Sequence, residues 1–172
     1  MNYDIFENLD YSNIKNLYQL CIESQSNLSL VKKNYVRNNK SLQETLNFLI
    51  DLEVLNIDKN SYLIKKNKEF KNLLLEQLIS KPKYALPLKE YLKNFLTHEQ
   101  IVSFKPNTRY NILTSNLRNF LITAKIIRHE IDNDVYELLD RSLLNKVKNF
   151  EFSPESLYLE INKQKLLGLE SE

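Results

Sequence analysis

The chain is 172 residues long, 42% hydrophobic and 27% charged, with a net charge of +2, so it has the apolar content of a folded protein and no overall charge that demands a polyanionic partner. Its one glycine, Gly168, excludes the glycine-rich loops that cradle phosphates and dinucleotides, and its one cysteine, Cys21, excludes an internal disulfide. The opening MNYDIFENLDYS lacks the basic-then-apolar order of a signal peptide, and no apolar run approaches the ~20 residues of a membrane span, which points to a cytoplasmic protein with no membrane partner.

Apolar residues Ile14, Leu17, Tyr18 and Cys21 recur at helical spacing and predict a helix from Ser12 to Glu23, with Ser12 as its N-cap. A second helix is expected from Leu28 to Arg37, where Leu28, Val31 and Tyr35 share a face, followed by a turn at Asn38, Asn39 and Lys40. The third begins with the capping box Ser41-Leu42-Gln43-Glu44 and runs to about Leu55. A hairpin follows, from Asn56-Ile57 through the turn Asp58-Lys59-Asn60-Ser61 to Tyr62-Leu63-Ile64.

A linking helix is expected over 70–79, and the two prolines of KPKYALPLKE mark a module boundary, because proline fixes φ and restricts its neighbour. Beyond it the pattern predicts a helix over 86–96, a strand over 100–104 and a loop with Lys105, Pro106 and Asn107. Next comes a helix capped by Thr114 or Ser115 that carries Leu117, Phe120, Leu121 and Ala124. Arg128 to Ile131, the turn Asp132-Asn133-Asp134 and Val135 to Leu138 complete a second hairpin.

NFLIDLEVL from Asn47 and NFLITAKII from Asn119 are near-copies, each leading from a helix into a hairpin. The interval from Leu121 to Tyr136 exceeds that from Leu49 to Tyr62 by two, so the second hairpin should be longer in its loop, where insertion costs little. The expected fold is mainly α with short β-hairpins (α+β): two tandem winged helix-turn-helix modules, 1–82 and 83–150, plus a C-terminal helix over 151–172 that opens with Ser153-Pro154-Glu155.

The tail FSPESLYLEINKQKLLGLESE resembles the segment that leads into the nuclease-like domain of bacterial NO VEIN type proteins, over about the last twenty residues. The resemblance implies an accessory or targeting module of a restriction or phage-defence system, joined to a protein partner or to a C-terminal domain outside this sequence.

Little in the sequence favours catalysis. His98 and His129 have no cysteine or carboxylate set at metal-ligand spacing, no hydrolase nucleophile motif occurs, and Asp132 and Asp134 read as turn formers, so no catalytic residue, metal or cofactor is expected. Double-stranded DNA is the favoured partner. Lys32, Lys33, Arg37 and Lys40 lie in a run without acids, and Lys65 and Lys66 follow the first hairpin, all suited to phosphates. The third helix of the first copy turns Gln43, Glu44, Asn47 and Asp51 outward, an acidic face ill suited to DNA. Its counterpart is expected to turn out Asn116, Arg118, Asn119 and Thr123 toward base edges, with Arg109, Lys125 and Arg128 near the backbone. A protein-docking adaptor is the competing reading, and a homodimer is compatible with either.

Overall fold

A computed structural model describes residues 1–95, 103–149 and 162–163. The chain divides into a first compact unit, Asn8–Leu78, and a second made of Met1–Glu7 with the described residues from Ile79 onward. No helix among the described residues is long and apolar enough to cross a membrane.

The first unit runs α1 (Tyr11–Glu23), α2 (Leu28–Asn34), α3 (Asn39–Asp51), the antiparallel hairpin β1 (Leu55–Asp58) and β2 (Ser61–Ile64), then α4 (Phe70–Ser80), whose last two residues fall in the second unit. Helices α1 and α3 start earlier than their serines suggest. Asp10 caps α1, accepting from the Asn13 N–H at 3.2 Å, and Asn38 caps α3, accepting from the Ser41 N–H at 2.8 Å. Ser12 and the Ser41/Glu44 box are therefore not the caps. Aspartate and asparagine cap as well as serine, and here they release the Ser41 hydroxyl for another role.

That role is a buried polar knot around Asn13. Its amide donates to Ser41 Oγ at 3.3 Å and to Thr45 Oγ1 at 3.2 Å, and its carbonyl oxygen accepts from the Tyr35 hydroxyl at 2.9 Å. Tyr35 reaches inward because α2 stops at Asn34, short of the expected end at Arg37, and Tyr35 itself is extended with ψ 125°. Around the knot lie the buried side chains of Ile14, Leu17, Leu42, Leu46 and Leu49. Two other tyrosines clip the chain: Tyr62 donates to the Cys21 carbonyl at 2.6 Å, and Tyr18 to the Lys65 carbonyl at 2.6 Å.

The second unit begins with a 3₁₀ turn at Asp4–Phe6 and continues with α5 (Pro82–Leu92), β3 (Ser103–Phe104), α6 (Thr108–Leu113), α7 (Ser115–Thr123), β4 (Ile127–Glu130), β5 (Val135–Leu138) and α8 (Arg141–Asn149). Its sheet is antiparallel in the order β3-β5-β4. The prolines do not break the pattern as expected. Pro82 occupies the first turn of α5, where its missing N–H costs nothing, and Pro87 sits inside the helix. An interior proline disfavours a helix by ~3 kcal/mol, and burial of Tyr84, Leu88, Tyr91 and Leu92 on the same helix offsets that.

Helices α6 and α8 have no counterpart in the sequence pattern; Asn107 caps α6 and the Asp140 carboxylate caps the start of α8. Thr114 precedes α7 but does not cap it, since its hydroxyl donates back to the Tyr110 carbonyl at 2.8 Å. Residues 100–102 of the expected strand, Leu96 of the expected helix and all of 151–172 except 162–163, which are helical, lie outside the described residues.

The repeat is a repeat of structure. Val54 N–H bonds the Leu49 carbonyl at 3.0 Å and Ile126 N–H bonds the Leu121 carbonyl at 2.9 Å, the same bond at the same place in each copy. Between helix and hairpin stand Glu53 (φ 60°) and Lys125 (φ 57°), both left-handed. Lys59 and Asn60 alone turn the first hairpin, whereas Ile131, Asp132, Asn133 and Asp134 turn the second, so the extra pair lies in the loop.

Two outcomes are expected from this framework. Asn13→Ala removes three hydrogen bonds from the knot, leaving Tyr35 and Ser41 bonded to each other at 3.0 Å and Thr45 to the Ser41 carbonyl at 2.8 Å, and should lower the unfolding free energy by about 1–3 kcal/mol in urea titration; an unchanged midpoint would show that the knot holds nothing. Glu53→Gly and Lys125→Gly should each raise it by about 0.5–1 kcal/mol, the relief of the left-handed strain exceeding glycine's entropic cost.

Candidate nucleic-acid interface

The turn between α2 and α3 gathers the basic run into one corner of the first unit. Lys32 and Lys33 lie in the last turn of α2, where a cation complements the helix dipole, and Arg37 follows in the turn; all three are exposed and make no ion pair among the described residues. Lys40 lies in the first turn of α3, where the dipole disfavours a cation. It pairs with Glu44 at 4.0 Å, both partly in water, a pairing worth only about 0.3–0.5 kcal/mol. The corner thus presents charge that the protein itself leaves unneutralised. The outward face of α3 beside it is occupied by a Gln43–Asn47 hydrogen bond of 2.8 Å and the exposed Asp51.

Lys65 and Lys66 do not join that corner. The Lys65 carbonyl is clipped by Tyr18 on α1, and the same hydroxyl accepts from the Asn67 N–H at 3.0 Å, so the segment after β2 is laid along α1. Lys66 there lines a cleft with Lys15, Lys68 and Lys71, a grouping of which the sequence pattern had given only one flank.

In the second unit the base-reading set expected on α7 is largely engaged internally. Asn116 donates to the Asp4 carboxylate at 3.2 Å, because the 3₁₀ turn packs on α7 with Phe6 against Phe120 at 5.4 Å between ring centroids. Arg118 is half-buried, donates to the Asn111 carbonyl and lies 5.4 Å over the Tyr136 ring, a cation held by the fold rather than offered to a partner. Thr123 donates to the Phe120 carbonyl at 3.0 Å. Asn119 and Lys125 are exposed, Arg109 is exposed in the first turn of α6, and Arg128 pairs with Glu137 across β4 and β5.

His129 pairs with Asp134 at 2.8 Å and stacks on Tyr136 at 4.6 Å, closing the second hairpin. His98 lies outside the described residues. No group of three or more metal-ligating side chains occurs among the described residues. No protein-family model matches the chain, and no curated protein or solved structure matches it.

Cys21 lies on the buried face of α1, and burial pushes its thiol up to about 12. The unfolded thiol ionises at ~8.5, so the folded state resists losing this proton. Stability from this group is therefore intact below pH ~8.5 and should fall as pH rises toward about 12. Buried Tyr62, raised by the same desolvation, acts with the same sign. A thiol reagent at neutral pH should label Cys21 only as fast as the first unit unfolds; rapid labelling of the folded protein would contradict the burial.

Proposed function

We propose that the chain binds double-stranded DNA without catalysing a reaction, through paired modules of the winged helix-turn-helix type. The observation that carries this reading is the α2–α3 corner: four cations at a helix–turn–helix, three of them unpaired, with no acid between Leu28 and Gln43. Groups in that setting release counterions when they meet phosphates. The module type is supported by the second unit's order of helix, strand, two helices and hairpin, and by the sheet order β3-β5-β4, which seats the first strand beside the last. In this reading the first unit supplies the phosphate contacts. The second contributes Asn119 from the middle of α7 and Lys125 from the hinge after it, while Asn116 and Arg118 hold that helix in place.

The resemblance of the tail supplies the setting, a targeting component of a bacterial restriction or phage-defence system. A docking adaptor is the second reading, favoured by the apolar side chains the surface leaves open: Val36 at the tip of the basic corner, 95% exposed, and Ile112 and Leu113 on α6. Salt separates the two, since phosphate contacts weaken steeply with it and apolar docking hardly responds.

Fluorescence anisotropy with a random-sequence duplex tests the proposal. The wild-type chain should bind at low salt, with log K falling against log salt at a slope of about −3 to −4 for four phosphate contacts. Lys32→Gln with Lys33→Gln and Arg37→Gln should flatten that slope to about −1 and weaken binding at least tenfold, whereas Asn119→Ala should change affinity by less. Absence of duplex binding at low salt sinks the proposal and leaves the adaptor reading.

A further inference from the structure

The first unit contains a second basic surface, on the far side of α1. Tyr11, Lys15, Tyr18 and Ile22 of α1 face the segment from Lys66 to Lys71 across a cleft of about 700 Å³. At about 100° per residue, Asn13, which holds the α2–α3 corner, lies about 160° of arc from Lys15. Corner and cleft therefore occupy opposite faces of one helix and are separable by mutation.

The chemistry of the cleft is specific in two respects. Four lysines, Lys15, Lys66, Lys68 and Lys71, border it against a single acid, Glu69, and none of the four makes an ion pair among the described residues. Its floor is aromatic. Phe70 packs on Tyr18 at 4.2 Å between centroids and stacks with Tyr11 at 6.2 Å and 24°, and Tyr11 is the half-exposed member of the three. The geometry is also fixed, because the Tyr18 hydroxyl ties Lys65 and Asn67 to α1 and the Asn67 side chain accepts from the Glu69 N–H at 2.9 Å.

We propose that this cleft binds single-stranded nucleic acid, with an unpaired base against Tyr11 and the neighbouring phosphates among Lys15, Lys66, Lys68 and Lys71. A volume of this order suits a ligand buried in a concave site and does not admit a duplex. An acidic peptide satisfies the lysines but has no use for the rings, and an apolar ligand has no use for the lysines. A chain that alternates flat bases with phosphates uses both along its whole length, and base stacking on an aromatic side chain beside a basic track is the general mode of single-strand binding. The site stands independently of the duplex reading.

The test uses the intact chain and a fluorescent oligothymidylate at low salt, beside a duplex and an abasic phosphodiester strand of equal length. Tyr11→Ala should weaken oligothymidylate binding at least tenfold and Tyr11→Phe should retain it, with urea midpoints confirming that both fold. Lys66→Gln with Lys68→Gln, on exposed positions that do not threaten the fold, should weaken it at least as much. The abasic strand should bind at least tenfold more weakly than the oligothymidylate. The triple substitution in the α2–α3 corner should leave oligothymidylate affinity within twofold while reducing duplex affinity, so failure of one site is distinguishable from failure of the other. Equal binding of the abasic strand, displacement by polyglutamate at equal charge, or indifference of the oligothymidylate to the cleft substitutions overturns the proposal.

Discussion

One buried amide organises the first unit. Asn13 is almost wholly buried, and an unpartnered amide there would cost several times what one ordinary hydrogen bond contributes. The fold meets that demand by bringing three hydroxyls to it from the end of α2 and from α3, at distances of 2.9 to 3.3 Å. The consequence reaches the surface. Since α2 stops at Asn34, Tyr35 is extended and turns inward to meet Asn13. Arg37 and Val36 are thereby held out in solvent at the corner. The same logic operates at Tyr18 and Tyr62, whose hydroxyls reach main-chain carbonyls 47 and 41 residues away. Tyr18 and Tyr62 are buried clips, each an apolar body with a hydrogen bond at its end.

Scarcity of glycine is the second constraint. Among the described residues seven positions with positive φ are filled by other residues, including Glu53 and Lys125 at the matching hinges of the two copies. Such positions cost a side chain ~1–2 kcal/mol against the following carbonyl, so the repeated hinge is worth its strain only if it fixes something. It fixes the exit from helix to hairpin, through the paired bonds from Val54 to Leu49 and from Ile126 to Leu121. Asparagine fills much of the remaining vocabulary, capping α2, α3 and α6 through Asn27, Asn38 and Asn107. A composition rich in asparagine and lysine thus has a mechanical counterpart in caps and turns.

What the sequence disclosed follows from the range of the interactions involved. Hairpins and the repeat were legible because alternation, turn residues and spacing are local; the longer loop of the second hairpin was predicted and is present. Helix starts were misplaced slightly because Asp10, Asn38, Ser12 and Ser41 are all good caps and only tertiary demand on Ser41 chooses among them. Pro87 suggested a boundary because an interior proline usually ends a helix, and it is retained here by burial that no local pattern expresses. The α7 residues were the least legible. Their outward direction was inferred from helical phase alone, whereas Asn116 is met by Asp4 from 112 residues away and Arg118 by the Tyr136 ring.

The charge distribution decides how such a molecule meets a polyanion. The first unit carries ten basic and eight acidic residues, a net of 10 − 8 = +2, so no long-range field draws a partner to it. Attraction acts only within about a Debye length, roughly 8–10 Å at ordinary salt, and must come from places where cations stand together and acids do not. Two such places exist on the unit, and their shapes differ. The corner is set at a turn, with Lys32, Lys33 and Arg37 all exposed. The cleft is concave and floored with the rings of Tyr11, Tyr18 and Phe70. A near-neutral unit with two unlike basic surfaces discriminates partners by shape more than by net charge.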